Sequence, residues 1–130
     1  MGDISKNFDK SEFVCKCGCG KYNLNPVLLD ALQRLRDYIG YPIYINSGCR
    51  CEKHNKAVGG VKNSLHVRGK AADIRVDELS PQELAKSAME IKEFRDGGIG
   101  IYTNFVHVDV RGRKSRRRRH VGPGGAHRAA

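Results

Sequence analysis

The sequence predicts an α+β fold, a small antiparallel sheet with helices on one face. Three observations predict it. Two helical stretches carry strong start signals, short strands of alternating polarity flank the second of them, and the last two strands are separated by a tight turn.

The first two dozen residues show little helical period and end in a Gly- and Cys-rich segment, so they read as a turn or short-strand assembly packed by Phe8, Phe13 and Val14. The first helix starts at Asn25, a favourable N-cap, with Pro26 at the first helical position. Leu28, Leu32 and Leu35 lie on its apolar side, and Gly40 stops it. Residues 43–46 follow as a strand, and residues 52–58 as a short helix closed by Gly59 and Gly60. Residues 71–76 alternate, with Ala72, Ile74 and Val76 on one face and Ala71, Asp73 and Arg75 on the other. A second helix opens at Ser80, whose capping box with Glu83 brackets Pro81. It turns Leu84, Ala88, Ile91 and Phe94 inward until residues 96–98 end it. Strands at residues 99–102 and 105–110 close the domain around Thr103 and Asn104.

A chain of 130 residues that is 39% hydrophobic and 29% charged supports one modest core, which excludes a multidomain machine. No apolar run approaches the roughly 18 residues of a membrane span, and no secretory signal follows Met1. The expectation is a soluble monomer made in the cytoplasm. The net charge of +10 would suggest a nucleic-acid partner, but eight basic residues and no acidic ones lie from Arg111 onward. Residues 1–110 hold 16 basic against 14 acidic residues. The expected organisation is a near-neutral domain, residues 1–110, and a basic, disordered tail, residues 111–130, to which any nucleic-acid binding belongs.

With Val106, Val108 and Val110 facing the core, Phe105, His107 and Asp109 share the opposite strand face, as Asp73 and Arg75 do on theirs. A solvated sheet face would look the same. The segment before Asp73 favours chemistry. It places His66 on a loop, Gly69 where the chain turns and Asp73 at the head of a strand, so that the three elements converge with His107 on one ion. Two imidazoles and one carboxylate form the ligand set of a catalytic zinc site with an open fourth position, and zinc there implies hydrolysis of an amide or ester. The five cysteines stand apart from this set. Cys15, Cys17 and Cys19, with Cys49 and Cys51, admit a structural zinc on four thiolates, one or two disulfides, or free thiols.

Taken together, Ser47-Gly48-Cys49-Arg50, His54-Asn55 with Gly59-Gly60, residues 64–73 and residues 105–109 resemble the zinc D-alanyl-D-alanine carboxypeptidases and related murein peptidases. That family is related to the vancomycin-resistance dipeptidases and the Hedgehog signalling domain. The resemblance covers residues 25–111. It implies a Hedgehog/D-Ala-D-Ala peptidase-like fold, with His66, Asp73 and His107 as zinc ligands. It further implies Arg50 as a catalytic, substrate-gripping group and Ser64 as a second substrate-binding residue. Much of the family carries Glu or Asp as general base three residues before the last ligand. Here that place is Asn104, whose amide does not usefully accept a proton. Asp109, on the strand face of His107, is the substitute base, unless it orients His107 or pairs with Arg75 instead.

The implied function is zinc-dependent hydrolysis of peptidoglycan stem peptides, as a D-Ala-D-Ala carboxypeptidase or related endopeptidase. A signal-less protein acting on the bacterial cell wall suits phage lysis. The alternative is a catalytically inactive zinc-containing module that binds a peptide or a partner.

Overall fold

Local capping explains where the helices begin. In the computed structural model, which describes residues 2–62 and 64–118, Asn25 Oδ1 accepts a hydrogen bond from Val27 N (2.8 Å) at the start of α1, Pro26–Ile39. Gly40 ends that helix in the left-handed region, φ +75°, a conformation with no steric penalty for glycine. Helix α2, Glu52–Ala57, is capped by the Cys51 sulfur, and α3, Pro81–Ala88, by the reciprocal Ser80–Glu83 box. The helix expected to reach residue 96 breaks in two. Its last bonds tighten to Glu90 N–Ser87 O and Ile91 N–Ala88 O, and a separate turn, α4, Lys92–Arg95, restarts from an extended Ile91. The restart still buries Phe94.

The strands are β1, Tyr44–Ser47, β2, Ala71–Arg75, β3, Gly98–Ile101, β4, Val106–Asp109, and β5, Ser115–Arg118. They form one sheet in the order β1-β2-β4-β3-β5. All pairs are antiparallel except β3 with β5. Helix α1 packs against α3 and α4, and α3 and α4 pack on β3 and β4. The core between these layers includes Leu28, Leu32, Leu35, Ile74, Leu84, Phe94, Val106 and Val108. The N-terminal segment joins this core through Phe8 and Phe13, around a 3₁₀ turn at Lys10–Glu12, while Val14 is only half-buried. Gln33 on α1 ties the segment down, accepting from Ser5 Oγ (2.8 Å) and Asn7 N (2.9 Å). No helix among the described residues is long and apolar enough to cross a membrane.

The expectation that order ends at residue 110 needs correction. Ser115–Arg118 adds a parallel edge strand to β3. Arg116 anchors it by donating to the carbonyl of Arg95 (2.6 Å), at the end of α4, and to that of Gly97 (2.8 Å), which also accepts from Ser115 N (3.0 Å). The segment needs no apolar residue for this, which is why composition suggested a disordered tail. Residues 119–130 lie outside the described residues.

The alternation expected for β2 and β4 places their polar side chains on the sheet face away from α1, α3 and α4. That face is not solvated. Residues 48–62 and 64–70 fold over it, and Asp73, His107 and Asp109 are all buried. The covering segment is held from two sides. Cys49 N donates to Phe13 O (2.9 Å), while Asn25 N and Asn23 Nδ2 donate to the carbonyls of Gly69 (2.9 Å) and Val67 (3.0 Å).

Removing the cap in Asn25→Ala is expected to cost about 1 kcal/mol and lower the melting temperature by about 4 °C. Thermal unfolding followed by circular dichroism, with zinc in excess for both proteins, measures it.

Candidate metal centre

Strand register sets the site. Asp73 on β2 lies directly opposite His107 on β4, and Ser47 on β1 faces Asp73 from the other side. The side chains of this row therefore point to one face. His66 comes from the covering loop, where Ser64 Oγ accepts from His66 N (3.2 Å) and His66 O accepts from Arg50 N (3.1 Å).

Three ligating atoms converge. Asp73 Oδ1 lies 3.2 Å from His66 Nε2 and 3.2 Å from His107 Nδ1, and all three atoms lie within 4.8 Å of one another. Zinc bonds of about 2.0 to 2.1 Å in a tetrahedron separate ligand atoms by about 3.3 Å, so the observed spacing fits that ion. The remote ring nitrogens are fixed as a metal requires. His66 Nδ1 lies 2.9 Å from Gly48 O, an atom that can only accept, so the proton sits on Nδ1 and Nε2 keeps its lone pair. His107 Nε2 lies 2.7 Å from Asp109 Oδ2, which leaves His107 Nδ1 available in the same way.

The two imidazoles titrate differently without metal. Burial opposes charge on His107, but hydrogen bonds to Asp109 and Asp73 outweigh it and lift its pKa above the usual 6.5. At His66 burial prevails and the pKa falls.

Asp109 is the most heavily bonded carboxylate here. Its Oδ1 accepts from Gly98 N (2.9 Å), Arg111 N (3.1 Å) and Arg111 Nε (2.9 Å), and its Oδ2 accepts from His107 Nε2 and Arg111 Nη2 (both 2.7 Å). Burial would raise its pKa, yet the bonds from His107 and Arg111 hold it well below the carboxylate range. Such a group is a poor proton acceptor, so the geometry favours the orienting role over that of general base. Its arginine partner is Arg111, not Arg75. Arg75 lies at the exposed strand end, paired with Asp77 (2.7 Å) and stacked over Tyr44, and does not join the site.

Arg50 and Ser64 are buried as well. Arg50 is only 1% exposed, and its guanidinium donates to Ser47 Oγ (3.1 Å), Asn55 Oδ1 (3.0 Å) and Asp73 Oδ2 (3.3 Å). It grips a candidate metal ligand rather than open solvent. Ser64 is fully buried, and its Oγ accepts from His66 N to hold the His66 loop. Asn104 is exposed in the β3–β4 turn and borders a cavity of about 240 Å³ with Arg75, Asp77 and Thr103. A larger groove of about 460 Å³ is lined by Glu52, Asn55, Lys56, Gly60, Lys62 and Val67, and it meets Arg50 at Asn55.

Sequence reasoning missed Asn55, Gly98 and Arg111. Arg111 follows the period-two pattern of His107 and Asp109, a signal hidden by assigning it to the tail. Gly98 sits opposite Asp109, where any Cβ would collide with Asp109 Oδ2.

Fold and site together define a class, the small α+β proteins with a buried His–Asp–His centre built for a tetrahedral metal. The chain belongs to the peptidase M15 family, whose model matches residues 6–109. This is a family of zinc-dependent metallopeptidases. The chain is 32% identical over 97 residues to the peptidoglycan L,D-endopeptidase MepK of Escherichia coli strain K12, covering 68% of this chain and 52% of that protein. The MepK protein of Shigella flexneri matches to the same extent. The chain thus spans about half the length of these curated relatives.

Asp109→Asn is expected to weaken zinc binding about 10- to 100-fold by loosening His107, and Gly98→Ala to act in the same direction by displacing the carboxylate. Chelator competition measures both. Because His107 holds its proton above pH 6.5, zinc must displace it, so apparent affinity should rise with pH through and above that value. The same competition repeated from pH 6 to pH 9 checks the sign.

Proposed function

We propose that the protein is a zinc peptidase that cleaves peptidoglycan stem peptides at the cell wall as an L,D-endopeptidase. The convergence of His66 Nε2, Asp73 Oδ1 and His107 Nδ1 carries this reading, and the activity named for the relatives supports the bond class. Bound zinc supplies Lewis acidity toward a peptide carbonyl and makes water a stronger acid. The chain supplies the geometry. His66, Asp73 and His107 would hold the ion. Gly48 O and Asp109 hold the two imidazoles in the tautomers that present a lone pair, and Arg111 keeps Asp109 ionised.

In this reading Arg50 is a positioning residue acting through Asp73. Three of its five N–H donors are engaged among the described residues, and Nη1 lies against Asn55 and Gly60. The groove beside these two residues receives the stem peptide, where Lys56 and Lys62 suit its carboxylates and Glu52 its amine. The same chemistry would serve phage lysis, with the wall as substrate.

Digestion of purified peptidoglycan followed by mass spectrometry of the muropeptides tests the proposal. Cross-linked dimers should be cut at L,D bonds, and His66→Ala and Asp73→Asn should abolish the cut. Loss of a single terminal D-alanine would instead establish a carboxypeptidase. Stoichiometric zinc without any cleavage by the wild type would replace the enzyme reading with that of a binding module.

A further inference from the structure

Five cysteines remain outside the site described above, and the structure divides them four to one. Cys49 is buried in the core cluster and accepts a hydrogen bond from Asn23 N (3.5 Å), so it behaves as a small hydrophobe. The other four point their sulfurs at one another. Cys15 Sγ lies 3.5 Å from Cys17 Sγ and 3.8 Å from Cys51 Sγ, and Cys17 Sγ lies 3.7 Å from Cys51 Sγ. Cys19 completes a set whose four sulfurs all lie within 4.8 Å of one another.

We propose that Cys15, Cys17, Cys19 and Cys51 bind one Zn²⁺ as a closed tetrathiolate site, separate from the His66–Asp73–His107 centre. A tetrahedral ion with zinc–sulfur bonds of about 2.3 Å places its sulfurs about 3.8 Å apart, and the three short separations match that edge. One or two disulfides would bring each bonded pair to about 2.05 Å, whereas the observed separations of 3.5 to 3.8 Å lie at the edge length of a zinc tetrathiolate.

The backbone is arranged for this. Gly18 and Gly20 both adopt positive φ, +87° and +84°, and these reversals let three alternate cysteines of one short loop reach a common point. Backbone N–H groups then face the sulfurs, from Cys51 N to Cys15 (3.4 Å), from Lys21 N to Cys19 (3.4 Å) and from His54 N to Cys51 (3.3 Å). Such donors offset the surplus negative charge of four thiolates around a divalent ion. Lys16 and Lys21 lie in the same loop, and no acidic residue falls between Glu12 and Asp30.

The site has a structural consequence. Cys51 follows Arg50 and caps α2, whereas the other three ligands belong to the N-terminal segment. The ion therefore staples that segment to the loop whose arginine grips Asp73. With four protein ligands it has no open position for water or substrate, so its role is to hold rather than to react.

Metal content by elemental analysis and native mass spectrometry, on protein purified with zinc under reducing conditions, tests the assignment. The wild type should hold two zinc ions per chain. His66→Ala/His107→Ala should hold one, and so should Cys17→Ser/Cys19→Ser, whose altered side chains are exposed and leave the core intact. Cobalt substitution should give an intense sulfur-to-cobalt charge-transfer band in the histidine double variant and none in the cysteine double variant. A histidine double variant that is folded yet free of metal, or one lacking the charge-transfer band, would overturn the proposal. So would a native mass showing hydrogens lost to disulfides. The outcome is independent of the peptidase reading, because a protein that binds zinc at the cysteines but cleaves no muropeptide supports this site and sinks only that reading.

Discussion

The Asp73 carboxylate is the constraint on which the site depends. It is fully buried at the middle of the sheet, where an ionised group without partners would cost several kcal/mol. Every neighbouring element contributes to its satisfaction. Oδ1 faces His66 from the covering loop and His107 from β4, and Oδ2 receives the Arg50 guanidinium. Arg50 is equally buried, and Ser47 and Asn55 share its donors. Shifting β2 by one residue would turn Asp73 into the aliphatic layer and strand Arg50 without its charge partner. The strand register and the loop fold are therefore specified by one ion pair as much as by the core beneath it.

A second carboxylate has the complementary role, acting on His107 from its other ring nitrogen. Asp109 turns His107 through Nε2, Arg111 clamps Asp109, and the Cβ-free Gly98 lets the carboxylate lie against the backbone of β3. His66 has a simpler support in Gly48 O. The two imidazoles thus present opposite ring nitrogens to the same point, Nε2 from a loop and Nδ1 from a strand. A loop and a strand approach the carboxylate from different directions, and the free choice of tautomer is what allows both to reach it.

What the sequence made legible follows the range of the physics involved. Caps at Asn25 and Ser80 are local hydrogen bonds, and the period-two grouping of His107 with Asp109 needs only strand geometry, so both could be read without coordinates. The grouping of His66, Asp73 and His107 was suggested by the spacing of residues 64–73 and by the resemblance to the zinc peptidases, whereas strand alternation alone fitted a solvated face equally well. Functions that depend on a distant partner were not legible. Nothing within a few residues of Arg50 says that Asp73 will bury it, and nothing near Arg116 says that the end of α4 offers it the Arg95 carbonyl. Cys49 and Cys51 look equivalent in sequence, yet one faces the core and the other the cysteine cluster.

Charge within the centre explains its demand for metal. Asp73 is matched by Arg50 and Asp109 by Arg111, so with two neutral imidazoles the buried set carries no net charge. The acceptor face of Asp73 Oδ1 nevertheless lies between two ring nitrogens that both have a lone pair in the metal-ready tautomers. Those three atoms repel unless something positive lies among them. Without metal His107 favours a proton, because burial is outweighed by its hydrogen bonds to Asp109 and then Asp73, which raise its pKa. A divalent ion serves better, since it meets all three atoms at once, and it leaves the site with surplus positive charge. An ion held by His66, Asp73 and His107 would there supply Lewis acidity toward a carbonyl and make water a stronger acid. The arginines beside the two carboxylates thus set the net charge that an entering divalent ion would meet.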